Sequence, residues 1–232
     1  MAVHRARHHR SVGRSAGRTR AGPPGAAVLS TAERRRRAVR AGLQGDRTTA
    51  EALRHDDDGH VRALALGALA RLDALGDDDV EAALGDPAPV VRRRAIELAA
   101  ERPSIPLLGL LDDADDTVVE LATWALGERS ADDEVVARLV RQATEHDEQL
   151  CREAAIAALG SLGDPAGLDA VLAGTIDKPA VRRRAVVSLA AFEGPEVEAA
   201  LRSALDDRDW QVRQAAEDLL DVARDAPTEP GS

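Results

Sequence analysis

Apolar positions recur along this chain in one phrase: an anchor, then small or aliphatic residues four, seven and eight positions later. It reads Val61, Ala65, Ala68 and Leu69, then Val91, Ala95, Leu98 and Ala99, then Val118, Ala122, Ala125 and Leu126. It continues with Cys151, Ala155, Ala158 and Leu159, with Val181, Ala185 and Leu189, and with Val212, Ala216, Leu219 and Leu220. That spacing puts the phrase on one face of an α-helix. Successive anchors lie 30, 27, 33, 30 and 31 residues apart. A second apolar helical segment precedes each anchor, over 50–53, 80–84, 105–111, 135–140, 168–172 and 197–205. A period near thirty built from two helices predicts an all-α solenoid, six helix pairs stacked so that each touches only its neighbours.

The turns inside these pairs are acidic. Asp56 and Asp58, Asp113 and Asp115, and Asp207 and Asp209 stand five and three residues before their anchors. A carboxylate there can accept the exposed amides of the following helix. An arginine follows the anchor in five repeats: Arg62, Arg92, Arg152, Arg182 and Arg213. The third repeat has Val119 instead, and the fourth has His146-Asp147-Glu148 in its turn and Cys151 at its anchor. Upstream, Ser30-Thr31-Ala32-Glu33 spells a capping box for a helix over 31–43. Arg34, Arg35, Arg36, Arg37 and Arg40 sit mostly near the start of that helix, where the dipole is unfavourable to cations. They call for counter-charge, either from the acidic turn of the next repeat or from an outside anion.

Composition agrees with helices. Of 232 residues, hydrophobic types make up 44% but aromatics only 1%, so the core must be Ala, Leu and Val. A β-sandwich would want more aromatic and β-branched residues. The single cysteine excludes an internal disulfide framework, and no apolar run reaches the roughly 18–20 residues of a membrane span. Charge is distributed unevenly. Residues 1–28 carry +6, residues 29–47 carry +4, and the remainder carries −20 of a net −10. The expected organisation is a disordered basic tail over 1–28, a capping helix over 29–47, the solenoid over 48–225 and a disordered tail over 226–232. Three readings fit the basic tail: a nucleic-acid-binding arm, a transit peptide, or non-native sequence ahead of a start at Val28.

The phrase Asp-x-Asp-x-x-Val-Arg-x-x-Ala followed by Ala-Leu-Gly resembles the HEAT repeat, most closely the short type of phycobilisome-lyase-like proteins. The resemblance spans about 48–224. It implies the right-handed superhelix of the armadillo-like superfamily, with each repeat's arginine meeting an aspartate of the adjacent repeat in a ladder. Asp58, Asp115 and Asp209 are the aspartates assigned to that ladder, which Val119 should interrupt. The glycines ending the phrase, Gly127 and Gly160, suit left-handed helix caps.

Two groups of residues stand off the core face. Arg93 and Arg94, and Arg183 and Arg184, follow ladder arginines and point away from the core; they form basic spots or an ordinary solvated face. Trp124 lies where sister repeats have Gly67, Glu97, Ala157, Val187 and Asp218, so it should point outward beside Leu121 and Glu128. Such a tryptophan is a binding anchor or packs beneath a neighbouring helix. Trp210 stands where Pro89 and Pro179 occur and reads as a turn or terminal-cap contact.

Catalytic and metal motifs are scarce. His55-Asp56-Asp57-Asp58-Gly59-His60 reads as a capped turn, and Cys151 as a buried core residue. Deoxyhypusine hydroxylase, a HEAT-repeat di-iron enzyme, uses His-Glu pairs, and this chain has no such dipeptide. The expected function is a non-enzymatic scaffold or adaptor, cytoplasmic and monomeric, binding another protein through its concave surface without cofactor, metal or membrane. The alternative is a nucleic-acid-associated protein using the basic segment and arginine patches. A HEAT-like enzyme, of DNA-glycosylase or bilin-lyase kind, is the remote one.

Overall fold

A computed structural model describes residues 29–130 and 132–225; the expectations for 1–28 and 226–232 lie outside them. Among the described residues the chain is helical throughout, with no strand. The helices are α1 (Thr31–Gln44), α2 (Arg47–Leu53), α3 (Gly59–Arg71), α4 (Asp77–Leu84), α5 (Pro89–Ala99) and α6 (Asp116–Gly127). They continue as α7 (Asp133–Glu145), α8 (Gln149–Leu162), α9 (Leu168–Gly174), α10 (Pro179–Ser188), α11 (Pro195–Ala204) and α12 (Trp210–Asp225).

These form two rows. The second helices, α3, α5, α6, α8, α10 and α12, pack each against the next, and α1 packs on α3 in the same way. The first helices form the other row, each against its own partner. The capping helix α1 is therefore the second helix of a half-repeat. The six anchors are at most 1% exposed, which fixes the register. The buried stripe is wider than the phrase, because the fifth position after the anchor is also buried at Leu66, Ile96, Thr123, Ile156 and Val186.

The third repeat departs from the expected pair. Its first segment is a 3-10 turn, Leu108–Asp112, rather than an α-helix. Pro106 removes an amide and disfavours helix at Ile105, and the 27-residue step leaves little chain to spend. Arg129 ties this loop down. Its guanidinium donates to the carbonyls of Ile105 (2.8 Å), Arg102 (3.2 Å) and Ala99. The Ala99 carbonyl is the last of α5, and the Arg102 carbonyl lies in the turn that follows it. Burial lowers the pKa of Arg129 from its ordinary value.

The phrase-ending glycines do a different job from the one expected. Gly127 and Gly160 lie inside α6 and α8 without positive φ; Gly45 and Gly163 are the left-handed caps. A Cβ on Gly127 would sit 2.8 Å from Ala158 Cα, and one on Gly160 would sit 2.5 Å from Ser188 Cβ. These glycines let successive second helices approach closely. The Ser30–Glu33 capping box forms as its sequence spells, with the Glu33 amide donating to Ser30 Oγ and Glu33 Oε2 accepting from the Ser30 amide. Among the described residues no helix is long and apolar enough to cross a membrane.

Candidate protein-binding surface

The ladder is present, built on the first aspartate of the Asp-x-Asp phrase or, in the turns of Asp86 and Asp177, on the sole one. Arg62 reaches Asp86, Arg92 reaches Asp113, Arg152 reaches Asp177 and Arg182 reaches Asp207, each by a two-bond fork at 2.6–3.0 Å. Asp86, Asp113 and Asp207 stand five residues before their anchors, and Asp177 stands four before Val181. Of the three assigned from the sequence, Asp115 and Asp209 cap their own helices, accepting from Thr117 and Gln211, while Asp58 both accepts from Val61 and takes Arg35 of α1. The turn itself decides this. Asp86, Asp113 and Asp207 also accept the amide two residues on, and Asp177 accepts that of Lys178, which holds the outer face of each toward the preceding repeat. The ladder begins a helix early, at Arg34–Asp56, and Arg35 reaches Asp58 alongside. The neighbouring turn thus supplies counter-charge for Arg34 and Arg35.

The rung is missing between the third and fourth repeats. Val119 is buried, and His146 occupies the acceptor position, its Nδ1 taking the Glu148 amide. A buried set of hydrogen bonds bridges the gap: Gln142 Nε2 donates to Thr123 Oγ1 (2.8 Å) and to the Cys151 carbonyl (2.9 Å).

The off-core arginines are all engaged. Arg93 donates to Thr117, Arg94 pairs with Glu97, Arg183 donates to Gln211, and Arg184 lies 3.7 Å from Glu153. They do not form two clear basic spots, since acids or acceptors meet each one. Arg93 and Arg184 instead stand at the two ends of a groove of about 690 Å³.

That groove gathers most of the outward residues. Leu121, Trp124, Leu150 and Ala154 make its apolar floor, and Glu120, Glu128 and Glu153 edge it. Its lining comes from α5, α6, α8 and α10, four consecutive second helices, as when that row bows inward. Trp124 is 48% exposed and stands between this groove and a second hollow beside Pro103, Leu107 and Arg129. The first segment of its own repeat is the 3-10 turn Leu108–Asp112, and Val135 of α7 lines the second hollow with it. Leu150, 51% exposed, was missed by the repeat pattern although it is the one leucine directly before an anchor. A further hollow of about 670 Å³ adjoins through Arg93, with exposed Val39, Leu43 and Leu64. Trp210 opens α12, is 65% exposed, and makes no buried cap.

Of the acids around His55 and His60, Asp56 and Asp58 are occupied by Arg34 and Arg35. Another donor set does converge: carboxylate, imidazole and thiol atoms of Asp116, His146 and Cys151 lie within 4.8 Å of one another. Burial, with Asp116, Glu120 and Glu148 nearby, pushes the Cys151 thiol up to about 12, which removes it as a free nucleophile at neutral pH.

The family model for HEAT repeats matches residues 105–178, and that for the PBS lyase HEAT-like repeat matches 181–207. No curated protein matches the chain. Among solved structures, YibA of Escherichia coli is 16% identical with a TM-score of 0.55, over 70% of this chain and 64% of that one. An engineered protein is 18% identical with a TM-score of 0.53, over 77% and 96%. Human deoxyhypusine hydroxylase is 19% identical with a TM-score of 0.46, over 85% and 81%. The chain spans about 64% of the E. coli protein's length.

Proposed function

The chain is a HEAT-repeat protein of the armadillo-like superfamily, and from that premise we propose that it is a non-enzymatic scaffold that binds another protein along its row of second helices. The observation that carries this reading is the position of Trp124: half-exposed, flanked by Leu121 and Leu150, in a groove that four repeats line. A tryptophan set in an apolar floor with a charged rim has the anatomy of a binding hot spot. The two hollows joined at Arg93 extend that surface from α1 to α10. The off-core arginines are turned to neighbouring side chains, and the body carries strong negative charge, both of which disfavour a polyanion as the principal partner.

The test uses the full chain as bait in nuclease-treated native lysate, comparing wild type with Trp124→Ala and Trp210→Ala. A partner protein retained by Trp210→Ala and weakened about 30-fold or more by Trp124→Ala, the scale of a hot-spot truncation, is the expected result. Equal capture by both variants removes the groove from the reading. Binding that disappears with nuclease treatment transfers the function to nucleic acid.

A further inference from the structure

The junction between the third and fourth repeats departs from its sisters at four positions together. Val119 replaces the ladder arginine, His146 the accepting aspartate, and Cys151 the anchor valine. Asp116 stands where the other repeats have Gly59, Pro89, Gln149, Pro179 and Trp210. One of these changes removes a cation from the junction, and the other three bring a thiol, an imidazole and a carboxylate within 4.8 Å of one another.

We propose that Asp116, His146 and Cys151 form the protein half of a site for one zinc-class divalent cation, which joins the third repeat to the fourth where the others are joined by a guanidinium. Asp116 belongs to α6 and Cys151 to α8, with His146 in the turn between α7 and α8, so the ion spans the same gap as a ladder rung. A mixed S, N and O donor set suits zinc or cobalt, whereas calcium and magnesium take oxygen ligands. Zinc bonds of about 2.0–2.3 Å place tetrahedral ligand atoms about 3.5 Å apart, so binding draws the three donor atoms together from a span of up to 4.8 Å. Coordination by His146 Nδ1 replaces the hydrogen bond that atom accepts from the Glu148 amide at 3.1 Å. The thiol loses its proton to solvent as the sulfur–metal bond forms. The acids beside Cys151, which oppose a bare thiolate, favour one carrying a dication. Asp116 is exposed, His146 half-buried and Cys151 buried, so the ion enters from the Asp116 side.

The test is a cobalt(II) titration of the full chain under reducing conditions. Cys151 is the only cysteine, so a thiolate-to-cobalt charge-transfer band reports this site alone, whatever His4, His8 and His9 bind. The band is expected to saturate at one ion per chain and to bleach with zinc. Asp116→Asn and His146→Ala should each weaken binding about tenfold or more. Cys151→Val restores the valine of the sister repeats, so it should fold, give no band, and lose the rise in melting temperature that zinc produces in the wild type. No band in the wild type at millimolar cobalt overturns the proposal. So does a band of unchanged affinity in the Asp116 and His146 variants, or saturation at half an ion per chain, which would mean that two copies share the metal.

Discussion

Arg182 holds Asp207 of the following repeat by two parallel hydrogen bonds, Nε to Oδ2 at 2.8 Å and Nη2 to Oδ1 at 2.9 Å. Its third nitrogen, Nη1, donates to the Asp177 carbonyl in its own turn at 2.9 Å. One planar guanidinium thus fixes the turn it belongs to and the turn above it, which an ammonium cannot do with the same geometry. Arg182→Ala should lower stability by about 2 kcal/mol, less than for a fully enclosed pair because the outer edge of the fork meets solvent. Arg182→Lys should recover less than half of that. Arg213→Ala removes a side chain whose one hydrogen bond among the described residues is to the Asp207 carbonyl, and should cost under about 1 kcal/mol. Urea unfolding of the three variants checks the ranking, and equal losses at 182 and 213 would remove the ladder as a source of stability.

The same rungs make the fold acid-sensitive. The Arg152 and Arg182 guanidinium groups hold the carboxyls of Asp177 and Asp207 below the usual range. At Asp86 burial works in the opposite direction, and the Arg62 fork with the Ala88 amide outweighs it. A carboxyl with a lowered folded pKa binds its proton less readily than the unfolded chain does, so the unfolded state gains protons first as pH falls. The stabilisation is complete above the ordinary aspartate value of about 3.9 and is lost as pH falls through the lower folded values. Urea midpoints should therefore be level from pH 7 to about 5 and fall below about 4. Asp207→Asn should be less stable at neutral pH and show a shallower acid limb; an acid limb as steep as the wild type's would separate the rung from the effect.

Gly127 tests the close approach of α6 to α8. An alanine there is a better helix former by about 1 kcal/mol, but its Cβ would lie 2.8 Å from Ala158 Cα, so backbone must move. Overpacking of this kind costs about 1–3 kcal/mol, and Gly127→Ala should come out destabilised by about 1 kcal/mol. Gly109, with nothing within 4 Å of its Cβ position, should accept alanine with no measurable loss. A Gly127→Ala chain that melts at or above the wild-type temperature would show that the helices do not need this contact.

Periodicity along one helix was enough to place the anchors, the ladder arginines, the gap at Val119 and the outward aspect of Trp124, because each depends on a residue's angle about its own helix axis. Which of two aspartates in a turn faces the preceding repeat depends on the turn's own hydrogen bonds. The pattern of charges therefore pointed to Asp58, Asp115 and Asp209, whereas the structure uses the aspartates two residues earlier. Gly127 and Gly160 were misassigned for a related reason: a helix cap and a helix crossing both want a residue without a side chain. Leu108–Asp112 kept the apolar content of a helix while Pro106 denied it the geometry. Leu150 and the Asp116–His146–Cys151 cluster needed the third dimension, since the first belongs to a groove floor and the second joins residues 35 positions apart.

The ladder also has a direction. Each rung runs from an arginine on a second helix to an aspartate of the next turn, never the reverse, so the stack has a giving end and a receiving end. At the giving end Arg213 projects a fork that meets no salt-bridge partner among the described residues. At the receiving end Ser30 holds the capping position that Asp58, Asp115 and Asp209 hold in later turns, and it pairs with Glu33 of its own helix. The two ends of the described stack therefore differ in kind: one shows a guanidinium, the other a cap closed on its own helix.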